Sequence, residues 1–158
     1  MHRLFILTTL IFCFVGCSDN SSNSNIVDVK GYTGITVTGS DGPDPIGIID
    51  TNDWLPIVNL NFKVLPAYPN PARFACSIQF TLSQPDSVQI ILDDRPVNRI
   101  EIVEDRFLDK GTYSFTIDFL YNSEFSTTKR NEGIARIFFK VFHNQKFYQT
   151  FGDVKFQY

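Results

Sequence analysis

Residues 67–82 read AYPNPARFACSIQFTL, and the change of character within this stretch decides the fold. Pro69 and Pro71 stiffen the first half, because each ring fixes φ and removes a backbone donor. The second half alternates. Cys76, Ile78, Phe80 and Leu82 share one face, with Ser77, Gln79 and Thr81 opposite. That period of two is the pattern of a strand with one face buried.

The same alternation recurs outward from this strand. LNFKV (60–64) puts Leu60, Phe62 and Val64 on one face. SQPDS (83–87) is a turn, followed by VQIILD (88–93) with Val88, Ile90 and Leu92 inward. VNRIEIV (97–103) gives a further short strand, and GTYSFTIDF (111–119) turns Tyr113, Phe115, Ile117 and Phe119 inward. In IARIFFKVFH (134–143), Ala135, Ile137, Phe139 and Val141 face the core. Arg136, Phe138, Lys140 and Phe142 face away, an exposed patch unless a second sheet or the preceding linker covers it. HNQK (143–146) closes a hairpin into FYQTFGDVKFQY (147–158). The expectation is an all-β, immunoglobulin-like two-sheet sandwich of about seven strands, spanning residues 60–158.

Before it, the chain reads differently. A single Arg3 precedes an uncharged apolar run from Leu4 to Val15. This run is shorter than the roughly 20 residues of a membrane-spanning helix and fits an export signal. It ends in FVGC (14–17), which resembles the lipobox of bacterial lipoproteins. That resemblance implies a signal peptide over residues 1–16 and a lipidated Cys17 as the first mature residue. The lipid would anchor the protein to the membrane, and Ser18 in place of Asp favours the outer membrane. Residues 18–30 are Ser, Asn and Asp with few apolar side chains, the composition of a spacer. Residues 31–58 carry Gly31, Gly34, Gly39, Gly42 and Gly47 with Pro43, Pro45 and Pro56, so residues 17–59 read as a lipidated N-terminus and linker.

Few residues suggest chemistry. With 14 Lys and Arg against 17 Asp and Glu, the net charge is −3, which offers no basic face for nucleic acid. After removal of Cys13 and acylation of Cys17, only Cys76 remains, so no internal disulfide can form. Cys76 lies in an alternating strand and reads as a small buried hydrophobe. A catalytic thiol or hydroxyl would need His143, the one histidine of the mature chain, beside it. GSDGPDPIGIIDTNDW (39–54) gives part of a calcium-loop pattern, with Asp44, Gly47 and Asp53 at ligand-loop spacing. Gly42 and Ile46 stand where two ligands belong, so a structural linker is the reading, with Trp54 and Leu55 packing on the sandwich. The polar segment from Tyr121 to Gly133 reads as a long surface loop. No cofactor, metal, catalytic residue or small-molecule substrate is expected.

In order, AYPNPARFACSIQFTLSQPDSVQIILDD, LDKGTYSFTIDF, EGIARIFFKV and FGDVKF resemble an immunoglobulin-like domain family. It is shared by type IX secretion C-terminal sorting domains and the flagellar hook-capping protein. The family's YPNP turn corresponds to Tyr68, Pro69, Asn70 and Pro71, and its following strand to Ile78, Phe80 and Leu82. Pro85, Val88 and Ile90 match the next turn and strand, and Gly111 and Gly133 match later strand openings. Two expectations follow. One is an outer-membrane lipoprotein whose sandwich binds or presents another envelope protein, without catalysis. The other is a type IX secretion substrate whose sandwich is the sorting domain.

Overall fold

The computed structural model describes residues 34–94, 98–118 and 133–157. The signal segment, Cys17, the spacer, Phe119 and all but Gly133 of the Tyr121–Gly133 loop lie outside them. Seven strands form: β1 (Lys63–Tyr68), β2 (Ala75–Leu82), β3 (Asp86–Asp94), β4 (Asn98–Leu108), β5 (Gly111–Asp118), β6 (Ile134–His143) and β7 (Lys146–Lys155). They make two antiparallel sheets, one ordered β1-β2-β5 and the other β4-β3-β6-β7. An immunoglobulin constant-type sandwich places its fourth strand with the first, second and fifth. Here β4 instead stays hairpin-paired to β3, giving a three-plus-four division.

The inner faces carry the residues that the alternation predicts. Ile78, Phe80, Val88, Ile90, Leu92, Ile137, Phe139 and Val141 are all fully buried. Aromatic rings fill the centre, with Phe80 5.5 Å from Phe62, 5.9 Å from Phe115 and 6.1 Å from Phe139. Tyr113 and Phe115 are partly buried against this cluster. Cys76 belongs to the core, and burial pushes its thiol up to about 12, so it remains protonated at any physiological pH. Asn144 and Gln145 both take positive φ (47° and 62°), the backbone of a two-residue hairpin turn whose twist suits the flanking strands.

Two expectations are corrected. The first strand does not run from Leu60. Val58–Leu60 forms a single 3₁₀ turn, because Ile57 and Phe62 exchange backbone hydrogen bonds and fold the chain back on itself. Leu60 is still buried, but from a turn. The second correction concerns the linker. Its described part, from Gly34 to Asn59, is packed on the sandwich at its two ends, while residues 44–49 between them are exposed. Thr36, Thr38, Asp53, Trp54 and Ile57 are buried, so a boundary at Leu60 cuts through the core. Leu55, expected to pack, is half-exposed.

The reason lies at the outer edge of β7. An edge strand exposes a row of N–H and C=O groups that must be covered or left open to other chains. Trp54 N–H donates to Phe151 O (2.7 Å), and Asp153 N–H donates to Asp53 Oδ2 (3.2 Å). Ala72 N–H donates to Lys155 O, and Gln157 N–H to Ala72 O. Between them sits Asn70, inside the YPNP turn, whose two X–Pro bonds are cis. Its Nδ2 donates to Thr36 O and Asp153 O, both at 2.9 Å, while its Oδ1 accepts from Lys155 N–H (2.9 Å). Its own carbonyl accepts from Thr38 N–H. One buried side chain thus joins the N-terminal segment, the turn and the last strand. Asn70→Ala leaves several buried backbone groups unpaired and is expected to cost about 2 kcal/mol, read as a lower midpoint in urea unfolding at unchanged slope.

Candidate binding surfaces

The outward face of the four-stranded sheet is graded from one end to the other, as its register dictates. One row runs Asp93, Arg136, Asp153 across β3, β6 and β7. Arg136 clamps Asp153 through two hydrogen bonds of 2.6 Å, and both are buried. The guanidinium also lies over the Phe151 ring, 4.2 Å from its centre. The next row, Ile91, Phe138 and Phe151, forms a small cluster of buried residues. Phe138, exposed only if nothing covers it, is buried beside its neighbours on the sheet. Gln89, Lys140 and Gln149 make a polar third row.

The last row is aromatic and open. Phe107, Ser87, Phe142 and Phe147 stand side by side across β4, β3, β6 and β7. Phe107 is 68% exposed, Phe142 38% and Phe147 56%, and the last two rings are 4.6 Å apart. Exposed aromatic side chains of this kind supply large contact area at small entropic cost when a partner covers them. A second apolar group occupies the segment before β1, where Ile46, Ile48, Ile49 and Val58 are all well exposed.

A cleft of ≈ 380 Å³ lies between Asn52–Asn59 and the middle of β7. Leu55, Ile57, Val58, Tyr148 and Phe151 give it an apolar lining. Thr150 closes one side by donating its hydroxyl to Leu55 O.

The polar candidates have structural partners. His143 Nδ1 is 2.6 Å from Asp86 Oδ1, and both ring nitrogens lie 3.2 Å from Gln84 Nε2. Asn144 Nδ2 is 2.8 Å from the other ring nitrogen. The histidine therefore meets a carboxylate, but its hydrogen-bond partners among the described residues include no nucleophile. It ties the β2–β3 turn to the β6–β7 hairpin. Among the described residues, no three His, Cys, Asp or Glu side chains converge as a metal site. In the stretch tested for calcium, Asp44 is exposed while Asp53 points into the fold.

Among the described residues, Asp53 is the most perturbed carboxyl. Burial, followed by the charge of Asp153, pushes it up to about 8, so it holds its proton at neutral pH. Burial raises Asp153 as well, with the hydrogen bonds of Arg136 acting against it. Nothing local to the sequence brings Asp53, Arg136 and Asp153 together, and only the β6–β7 register and the docked segment do so.

No protein-family profile matches the chain, and no curated protein or solved structure matches it significantly.

Proposed function

We propose that this chain is a membrane-anchored envelope lipoprotein, held by a lipid on Cys17, whose sandwich is a binding or presentation module without catalytic activity. The observation that carries the binding role is the exposed row of Phe107, Phe142 and Phe147 on the outward face of the four-stranded sheet. The anchor rests on the FVGC motif and the apolar run before it. A protonated, buried Cys76 and a His143 held by Asp86, Gln84 and Asn144 support a role without covalent catalysis. The partner expected is another envelope protein.

The test is affinity capture from membranes with the intact anchored protein, beside a Phe107→Ser, Phe142→Ser, Phe147→Ser triple variant. The expected result is an envelope protein recovered with the wild type and lost with the triple variant. Equal recovery by both would overturn the aromatic face as the contact. Acyl mass on the mature N-terminus, abolished by Cys17→Ala, checks the anchor separately.

The second reading, a type IX sorting domain, is favoured by the YPNP turn and the order of the strand motifs around it. Its test is export of a reporter fused to residues 34–158 in a host with that secretion system. The fusion must begin at Gly34, since Trp54, Ile57 and Asp53 complete the fold. A reporter that stays inside the cell sinks this reading.

A further inference from the structure

The edge of β7 is covered unevenly. Phe151 O, Asp153 N–H and Lys155 N–H and O all point away from β6, toward the covering segments. The β6–β7 register runs without a shift from Lys146 to Lys155. Strand geometry therefore turns the N–H and C=O of Gln149, and the N–H of Phe151, to the same edge. Among the described residues these three groups have no hydrogen-bond partner. They lie on the wall of the ≈ 380 Å³ cleft, opposite Leu55 and Val58, which are 49% and 74% exposed. The volume falls within the roughly 300–1,000 Å³ of ordinary binding clefts.

We propose that this cleft accepts an extended segment of a partner polypeptide, which adds a short strand to β7 at Gln149. Two features specify a peptide. The backbone groups of Gln149 and Phe151 alternate donor and acceptor at strand spacing, the array that another extended backbone satisfies. The open stretch also continues, without a break, an edge that this chain's own backbone already pairs at Phe151 and Lys155. Leu55, Ile57, Val58 and Tyr148 then receive an aliphatic side chain of the added strand, while its neighbours in sequence point away. The inference deepens the binding-module reading and rests on it, with a second contact separate from the aromatic row.

The experiment uses residues 17–158 with Cys17→Ser, screened against a displayed library of random nine-residue peptides. A selected peptide is synthesised and titrated while the backbone amide signals of Gln149 and Phe151 are followed. Gln149→Pro removes only the edge-facing donor, because this residue's N–H is not part of the β6 ladder, and proline is tolerated at such edge positions. Val58→Glu places a charge on the exposed cleft wall without touching the core. Each variant is expected to bind the peptide about tenfold more weakly, with Phe107→Ser unchanged. N-methylation of the peptide at alternate amides is expected to have the same effect in one register only.

Selection of no peptide, or a peptide indifferent to both cleft variants, overturns the proposal. So does protection of the Gln149 and Phe151 amides from exchange in the free protein that disappears when residues 18–33 are removed, since the chain would then fill its own cleft. The two readings fail separately. If Gln149→Pro still captures the membrane partner and the aromatic triple variant does not, the cleft proposal falls and the binding module stands. If neither variant affects capture, the cleft and the aromatic row both fall as contacts, although the captured partner still marks a binding module.

Discussion

Gly152→Ala is expected to destabilise the protein by about 3 kcal/mol, although it adds one methyl group to a strand. The inward face of β7 presents Gly152 directly beneath the indole of Trp54. A Cβ there would overlap Cδ2 and Cε2 of that ring. The indole cannot move aside cheaply, since it also packs edge-on against Phe139 with ring centres 6.3 Å apart. Its backbone is fixed by the bond to Phe151 O and already holds a left-handed φ of 57°, uncommon for a bulky residue. Trp54→Ala is expected to cost as much, through the cavity it leaves. The double variant is the decisive measurement. If the glycine exists to seat the indole, the added methyl does no harm once the indole is gone. The combined loss should then be well short of the sum. Additive losses in chemical denaturation would sink the account.

The second large effect is a dependence on pH running opposite to ordinary acid denaturation. In the unfolded chain Asp53 titrates near 3.8, and in the folded chain at about 8. Between those values the folded state holds a proton that the unfolded state has lost. Stability therefore falls as pH rises from about 4 to 8, by up to ~1 kcal/mol per pH unit from this group, and levels off above. Below pH 4 both states are protonated and the group is neutral in effect. Asp53→Asn keeps an acceptor for the Asp153 N–H and removes the proton. Its stability should match the wild type near pH 4 and exceed it at pH 8, so the difference between the two profiles isolates Asp53 from other carboxyls. Parallel profiles would show that the carboxyl ionises without penalty.

The sheets were legible because burial of one face imposes a period of two that no other constraint in these segments contradicts. Cys76, Ile78, Phe80 and Leu82 of β2 read correctly for that reason, as did Ala135, Ile137, Phe139 and Val141 of β6. The start of β1 was misread because Leu60 and Phe62 continue the same apolar spacing through a turn. What closes that turn is the backbone pairing of Ile57 with Phe62. The linker was misread on composition. Trp54 packs as expected, but glycine, proline and aspartate describe local freedom and gave no sign that Thr36, Thr38 and Asp53 are buried too. What seats the indole is Gly152, nearly a hundred residues away. One signal was available: a glycine inside an otherwise strong strand marks a close approach of another group. Arg136 and Phe138 were correctly assigned to the outward face. Their burial depends on Asp153 and Phe151, cross-strand partners that only the β6–β7 register supplies. The aromatic row required the registers of four strands together.

The clasp at Asn70 and the aromatic row also give the molecule a direction. Thr36 is held beside Asp153 and Lys155, at one end of β7. Phe147 stands eight residues away along the same strand, next to the hairpin at Asn144 and Gln145. At the rise of an extended chain that separation is roughly 27 Å. The N-terminal segment is thus clasped at one pole, while the exposed rings stand at the other. The two features therefore act at opposite ends of one strand, so a load on the clasp and a contact at the rings meet only through the length of β7.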